Sequence, residues 1–134
     1  MLNNTRPTIM VVDDYDEVRS ILRVWLERHG CRVVEATGGR EAVQIAERER
    51  PELILMDLSM PEIDGFAATF RIRRQADLCN VPIIAISAYG ELGIDVQLHI
   101  DPLAVGFNAY LAKPFGPEKL FELLNRYLPR SGGA

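Results

Sequence analysis

No apolar stretch of this chain approaches the roughly 20 residues that a membrane-spanning helix needs. Basic clusters are equally scarce. The longest, Arg71-Ile72-Arg73-Arg74, falls at helical spacing and reads as a solvated helix face. With a net charge of −4 it argues against a general nucleic-acid surface. Cysteine is confined to Cys31 and Cys79, too few for a disulfide framework and too far apart for a Cys-x-x-Cys motif. Both fall beside expected core segments, which predicts buried, reduced thiols. The start of the chain, Met1 to Arg6, has no charged-then-apolar secretory pattern, so a cytoplasmic protein is expected. Repeats, low-complexity tracts and linkers are missing too. What is present is ordinary globular material, 134 residues with 48% hydrophobic and 25% charged. One domain of that length buries roughly two-thirds of the surface its unfolded chain exposes.

Strand and helix signals alternate throughout. Strands are expected at about 8–12, 32–36, 53–57, 82–86 and 109–112. Helices are expected at about 15–29, 39–48, 65–76 and 117–128. The first helix places Val18, Ile21, Leu22, Trp25 and Leu26 on one face and ends at Gly30. The second turns Ala42, Val43, Ile45 and Ala46 inward. Runs such as Ile54-Leu55-Met56 and Ile83-Ile84-Ala85-Ile86 do not alternate with polar residues, which indicates strands covered on both faces. This pattern predicts an α/β fold: right-handed βαβ units in a doubly wound, five-stranded parallel sheet of order 2-1-3-4-5, flavodoxin-like. An N-terminal arm (1–7) and a C-terminal tail (129–134) are expected to flank a domain over 8–128.

The polar residues that close these strands carry the chemistry. Asp13-Asp14 follows the first apolar run, Asp57 the third, Ser87 the fourth, and Lys113-Pro114 the fifth. Singly, each is ordinary: an aspartate or serine after a strand caps turns and helices, and a lysine is usually solvated. Jointly, the carboxyl ends of neighbouring parallel strands meet in one crevice. Like carboxylates repel there unless protons or a cation neutralise them. Mg²⁺ suits such a set, taking one or two carboxylates and completing its octahedron with water and phosphate oxygens; Mn²⁺ is the substitute of similar chemistry.

These motifs, Val11-Val12-Asp13-Asp14, Leu55-Met56-Asp57-Leu58-Ser59-Met60-Pro61, Asp64-Gly65, Ile86-Ser87-Ala88 and Tyr110-Leu111-Ala112-Lys113-Pro114-Phe115, resemble those of response-regulator receiver domains of two-component phosphorelays, over about residues 8–128. The resemblance implies that Asp57 accepts a phosphoryl group from phosphohistidine. It implies that Asp13, Asp14, Asp57 and the backbone carbonyl of Ser59 hold Mg²⁺. Lys113 would pair with the carboxylate and then with a phosphoryl oxygen. Ser87 would swing to the phosphoryl group, and Tyr110 would turn into the space it vacates. Pro114 is expected to be cis, aiming Lys113 into the crevice. Implied partners are a sensor histidine kinase or histidine phosphotransfer protein and a downstream protein target. Neither nucleic acid nor membrane is expected as a direct partner, and the protein is expected to be a monomer or weak homodimer.

One stretch departs from the family pattern. Ser87 and Lys113 are 26 positions apart, more than receiver domains usually leave, and the excess falls in 89–105. Gly90, Gly93 and Asp101-Pro102 would interrupt a helix there. The helix between the fourth and fifth strands is therefore expected to be broken or displaced, with Asp101 capping a turn at Pro102. Ser59 and Tyr89, two positions beyond Asp57 and Ser87, would govern access of water to an acyl phosphate. Three alternatives compete with this phosphoacceptor reading. A phosphatase of the haloacid-dehalogenase type needs Asp-x-Asp, where this chain has Asp13-Asp14-Tyr15. A flavodoxin-like FMN binder needs a Ser/Thr/Gly-rich loop after the first strand. A receiver-like scaffold that works without phosphorylation has no need of the full set of site residues.

Overall fold

The computed structural model describes residues 6–58, 65–87 and 106–128. In chain order they form β1 (Thr8–Val12), α1 (Asp16–Arg28), β2 (Arg32–Ala36), α2 (Gly39–Glu49), β3 (Leu53–Asp57), α3 (Gly65–Arg73), a 3₁₀ turn (Ala76–Leu78), β4 (Ile83–Ser87), β5 (Ala109–Ala112) and α4 (Pro117–Tyr127). The sheet is five-stranded, in the order β2-β1-β3-β4-β5, and every pairing is parallel. This is the expected doubly wound arrangement.

Strand alternation sorts the apolar runs onto two faces. Met10, Val12, Ile54, Met56, Ile83 and Ala85 pack against Ala42, Ile45 and Ala46 of α2 and Ala68 and Ile72 of α3. Their neighbours Ile9, Val11, Leu53, Leu55, Ile84 and Ile86 pack against Leu22 and Leu26 of α1 and Leu120, Leu123 and Leu124 of α4. Both faces of β3 and β4 are therefore covered, and all ten of their residues are buried. Truncating one such side chain, as in Leu55→Ala, would cost about 3 kcal/mol in lost transfer energy and cavity formation.

The chain turns sharply between layers. Gly30 follows α1 with φ +92°, a conformation that glycine adopts without steric cost. At the other end of the chain, Pro117 opens α4, where its missing N–H is no loss.

Four sequence expectations need correction. Ile21 is half exposed, because the buried stripe of α1 runs through Arg19, Leu22 and Leu26, and Ile21 lies about a quarter-turn from it. α3 stops at Arg73, short of 76, and the chain continues through the 3₁₀ turn. Cys79 is an exposed free thiol, since Leu78 takes the core position at that turn; Cys31 is buried as expected. Arg73 is half-buried and hydrogen-bonded, not part of a solvated face, whereas Arg71 and Arg74 are exposed. The irregular helix expected within 89–105, and the segments 1–5 and 129–134, lie outside the described residues.

Candidate functional site

The pairing register brings the chemistry-bearing residues to one edge of the sheet. Asp57 lies opposite Ile86, and Ser87 opposite Ala112. Main-chain hydrogen bonds continue beyond the strands. The Leu58 N–H donates to the Ile86 carbonyl at 2.9 Å, the Lys113 N–H to the Ser87 carbonyl at 2.9 Å, and the Asp13 N–H to the Ala36 carbonyl at 3.1 Å. The backbones bearing Asp13, Asp57, Ser87 and Lys113 are thus fixed by the sheet itself, and each side chain leaves from a strand end.

One carboxylate oxygen from each of Asp13, Asp14 and Asp57 lies within 4.8 Å of the other two. Asp13, Asp57 and Ser87 are each only 1% exposed, so these polar groups sit at the floor of the crevice. Lys113 Nζ reaches Asp13 Oδ2 at 3.4 Å and Asp57 Oδ1 at 3.8 Å. The peptide bond between Lys113 and Pro114 is cis, as expected. Asp13 Oδ1 accepts the Tyr15 N–H at 2.9 Å, which leaves Oδ2 for Lys113.

One ammonium cannot balance three carboxylates. Two like charges at this separation repel by roughly 3 kcal/mol at an effective dielectric of about 20. Asp14 Oδ1 is buried without a hydrogen-bond partner among the described residues. An orphaned hard oxygen beside two further carboxylates fits a small oxygen-seeking dication, and the donor set matches Mg²⁺.

Gly65, the first residue of α3, explains the Asp64-Gly65 motif sterically. A Cβ at that position would collide with the Asp57 carbonyl oxygen and approach Leu58 Cα to 3.1 Å. The helix can seat against the main chain of Asp57 only because position 65 has no side chain. Tyr110 is half-buried on β5, opposite Ala85, and packs on the α2/α3 side of the sheet. Ser87 follows Ala85 by two positions, so strand alternation points both residues to that side. Ser59 and Tyr89 lie outside the described residues.

Residues 9–125 match the family model of the response regulator receiver domain. The chain belongs to the response regulator receiver domain family. This receiver domain is 32% identical to a response regulator from Chloroflexus aurantiacus J-10-fl, with a TM-score of 0.84 over 94% of this chain and 100% of that one. It is 37% identical to the receiver domain of a sensor histidine kinase from Pseudomonas aeruginosa PAO1, with a TM-score of 0.82 over 92% and 98% of the two chains; that structure has a magnesium ion coordinated in its active-site cleft. Among curated relatives, a 14.6 kDa protein of Leptolyngbya boryana is 40% identical over 89% of this chain and 88% of its own length. The chain spans about half of others, such as the transcriptional regulator ycf27 of Guillardia theta, at 35% identity over 48% of that protein.

Arg19 and its neighbour Arg23 were passed over in the sequence, and Arg73 was misread as part of a solvated face. Arg19, only 7% exposed, lies beneath the acidic pair: Nη1 donates to the Asp13 carbonyl at 2.7 Å, Nε to Glu35 Oε1 at 2.8 Å, and Nη2 to Asp16. Arg23 shares Glu35 through Oε2 at 2.6 Å. Burial alone would lower the Arg19 pKa, but hydrogen bonds to Glu35 and Asp16 hold it above its usual value. Burial likewise pushes the Glu35 carboxyl up, and its bonds from Arg23 and Arg19 hold it below its usual value. Arg73 occupies the opposite edge of the sheet. Its guanidinium donates to the carbonyls of Gly106, Leu78, Cys79 and Val81 and to Asn108 Oδ1.

Proposed function

We propose that this receiver domain takes a phosphoryl group from a phosphohistidine onto Asp57 and signals through the change that follows. The observation that carries this reading is the convergence of Asp13, Asp14 and Asp57 within 4.8 Å, with Lys113 bridging two of them. In the transfer, the P–N bond to the donor imidazole breaks and a P–O bond to an Asp57 carboxylate oxygen forms. The imidazole leaves with the bonding pair and regains a proton from solvent. Little covalent assistance is needed; positioning and positive charge at the equatorial oxygens do most of the catalysis.

Asp13, Asp14 and Asp57 would hold Mg²⁺, with the Ser59 carbonyl as a further ligand. The ion supplies charge that offsets the incoming phosphoryl oxygens. Lys113 would exchange its carboxylate partner for a phosphoryl oxygen, and Ser87 would donate a hydrogen bond to another. The phosphoryl group adds up to two negative charges and three acceptor oxygens. Recruiting Ser87 inward frees space on the side of the sheet where Tyr110 packs, and a few kcal/mol of differential contact is enough to invert a two-state equilibrium. A downstream protein would read that change. Hydrolysis by water on the same acyl phosphate would reset it.

The phosphohistidine donor would be a sensor histidine kinase or phosphotransfer protein, acting in the cytoplasm. An apolar groove of about 270 Å³, lined by Lys113 together with residues including Val18, Ile21, Trp25 and Phe115, would offer that donor a docking face.

The test is phosphorylation in Mg²⁺ by acetyl phosphate, read by intact mass. The parent should gain one phosphoryl group, Asp57→Asn none, and Asp14→Asn should bind Mg²⁺ more weakly. An adduct that persists in Asp57→Asn overturns the assignment.

A further inference from the structure

We infer that Arg19 is a positioning residue that sets the orientation of the Asp13–Asp14 peptide and thereby the site's affinity for Mg²⁺. The inference rests on the reading of the crevice as a Mg²⁺-dependent phosphoacceptor site and adds a residue to it.

The carbonyl that Arg19 Nη1 holds at 2.7 Å belongs to the peptide joining the two acids. On the other side of Asp13, the N–H is fixed to Ala36 at 3.1 Å. Asp13 Oδ1 is fixed to the Tyr15 N–H at 2.9 Å. The Asp13 residue is therefore pinned at its amide, its carboxylate and its carbonyl. Among the described residues, Asp14 has none of these restraints on its own side chain: Oδ1 is buried and unpartnered. Its direction is inherited from the plane of the preceding peptide. The group that holds that plane is the Arg19 guanidinium.

The guanidinium acts through geometry. Glu35 and Asp16 compensate its charge directly, so it adds little to the potential in the crevice. A fork of fixed N–H vectors can hold the β1–α1 junction, β2 and the first turn of α1 at once, which a single ammonium cannot. Glu35 is shared with Arg23 at 2.6 Å, so Arg19 is anchored to a partner that is itself anchored. Its near-complete burial leaves the side chain little room to move. Partners that orient metal ligands typically change metal affinity by 10–100-fold when removed.

The experiment compares Arg19→Met with Arg73→Met by calorimetric Mg²⁺ titration of the full chain. It adds the ¹H–¹⁵N spectrum of the metal-free proteins. Arg73 also loses several part-buried hydrogen bonds on substitution, but on the opposite edge of the sheet. Arg19→Met should bind Mg²⁺ about tenfold more weakly, with the Asp14 amide resonance displaced before any metal is added. Arg73→Met should stay within about twofold of the parent and leave that resonance in place. If Arg19→Met does not fold, Arg19→Lys takes its place, with a weakening of several-fold expected. Parent affinity in the folded Arg19 variant overturns the inference, as does an equal loss in Arg73→Met. A parent that binds no Mg²⁺ instead overturns the reading of the site itself, and the assignment of Arg19 falls with it.

Discussion

Two arginines rooted in helices on opposite sides of the sheet, Arg19 and Arg73, hold opposite edges of the molecule by different means. Beneath the carboxyl ends of the strands, Arg19 is matched by Glu35 and Asp16, and those bonds keep its pKa above the usual value despite burial. At the far edge, Arg73 meets four main-chain carbonyls and Asn108, and no carboxylate among the described residues; burial lowers its pKa. The far edge uses its cation as a staple. It joins the end of α3, the 3₁₀ turn, the start of β4 and the approach to β5. The edge that carries the crevice uses carboxylates to compensate Arg19 in place, so that its geometry reaches Asp13 while its charge is absorbed.

The comparison predicts different kinds of damage. Arg73→Met should be the largest structural loss, about 3 kcal/mol, because four carbonyls, most of them in part-buried hydrogen bonds, lose their donor together. Urea unfolding measures it, and an unchanged midpoint would show that water replaces the guanidinium at no cost. At the working edge, Gly65→Ala should cost about 2 kcal/mol through the clash with Asp57. It should impair phosphorylation by acetyl phosphate far more than that figure suggests, because the backbone displaced is that of Asp57 itself. A Gly65→Ala protein that is phosphorylated at the parent rate would refute the close seating of α3.

The smallest effect separates the edges by pH. Glu35 is held below its ordinary value of 4.5. A carboxyl depressed in the folded state contributes stability in full above its unfolded-state pKa and loses it as the pH falls through the folded-state value. The acid limb of stability below about pH 4.5 should therefore be shallower in Glu35→Gln than in the parent. Urea midpoints measured from pH 7 down to pH 3 would show this. Arg73→Met should leave the limb's shape unchanged, since Arg73 meets no carboxylate among the described residues.

The sheet and the crevice were legible because their signals are local. An apolar run ended by Asp57 or by Ser87 declares both a strand and where its chemistry emerges, and order 2-1-3-4-5 follows from where those ends must meet. The two arginines were not legible as single residues: Arg73 meets mostly backbone carbonyls, which no side-chain pattern spells out, and Arg19 meets a carbonyl at Asp13 and a carboxylate, Glu35, on a different element. A signal was nevertheless present in the spacing. Arg73 continues the buried stripe of Gly65, Ala68, Thr69 and Ile72, and Arg19 opens that of Leu22 and Leu26. A cation on the inward stripe of a helix has to find acceptors, and that rule would have singled out both. Ile21 was misplaced for the converse reason: it is apolar, but it lies off the stripe. Cys79 sits just past Leu78, where one residue decides which side chain the turn directs inward.

The bare backbone at Gly65 has a mechanical consequence. With the first turn of α3 resting on the Asp57 carbonyl and no methyl between them, there is no compressible layer to absorb a shift. Any movement of the main chain at position 57 must be carried into α3 as a rigid displacement, so the acceptor and the start of that helix behave as one lever.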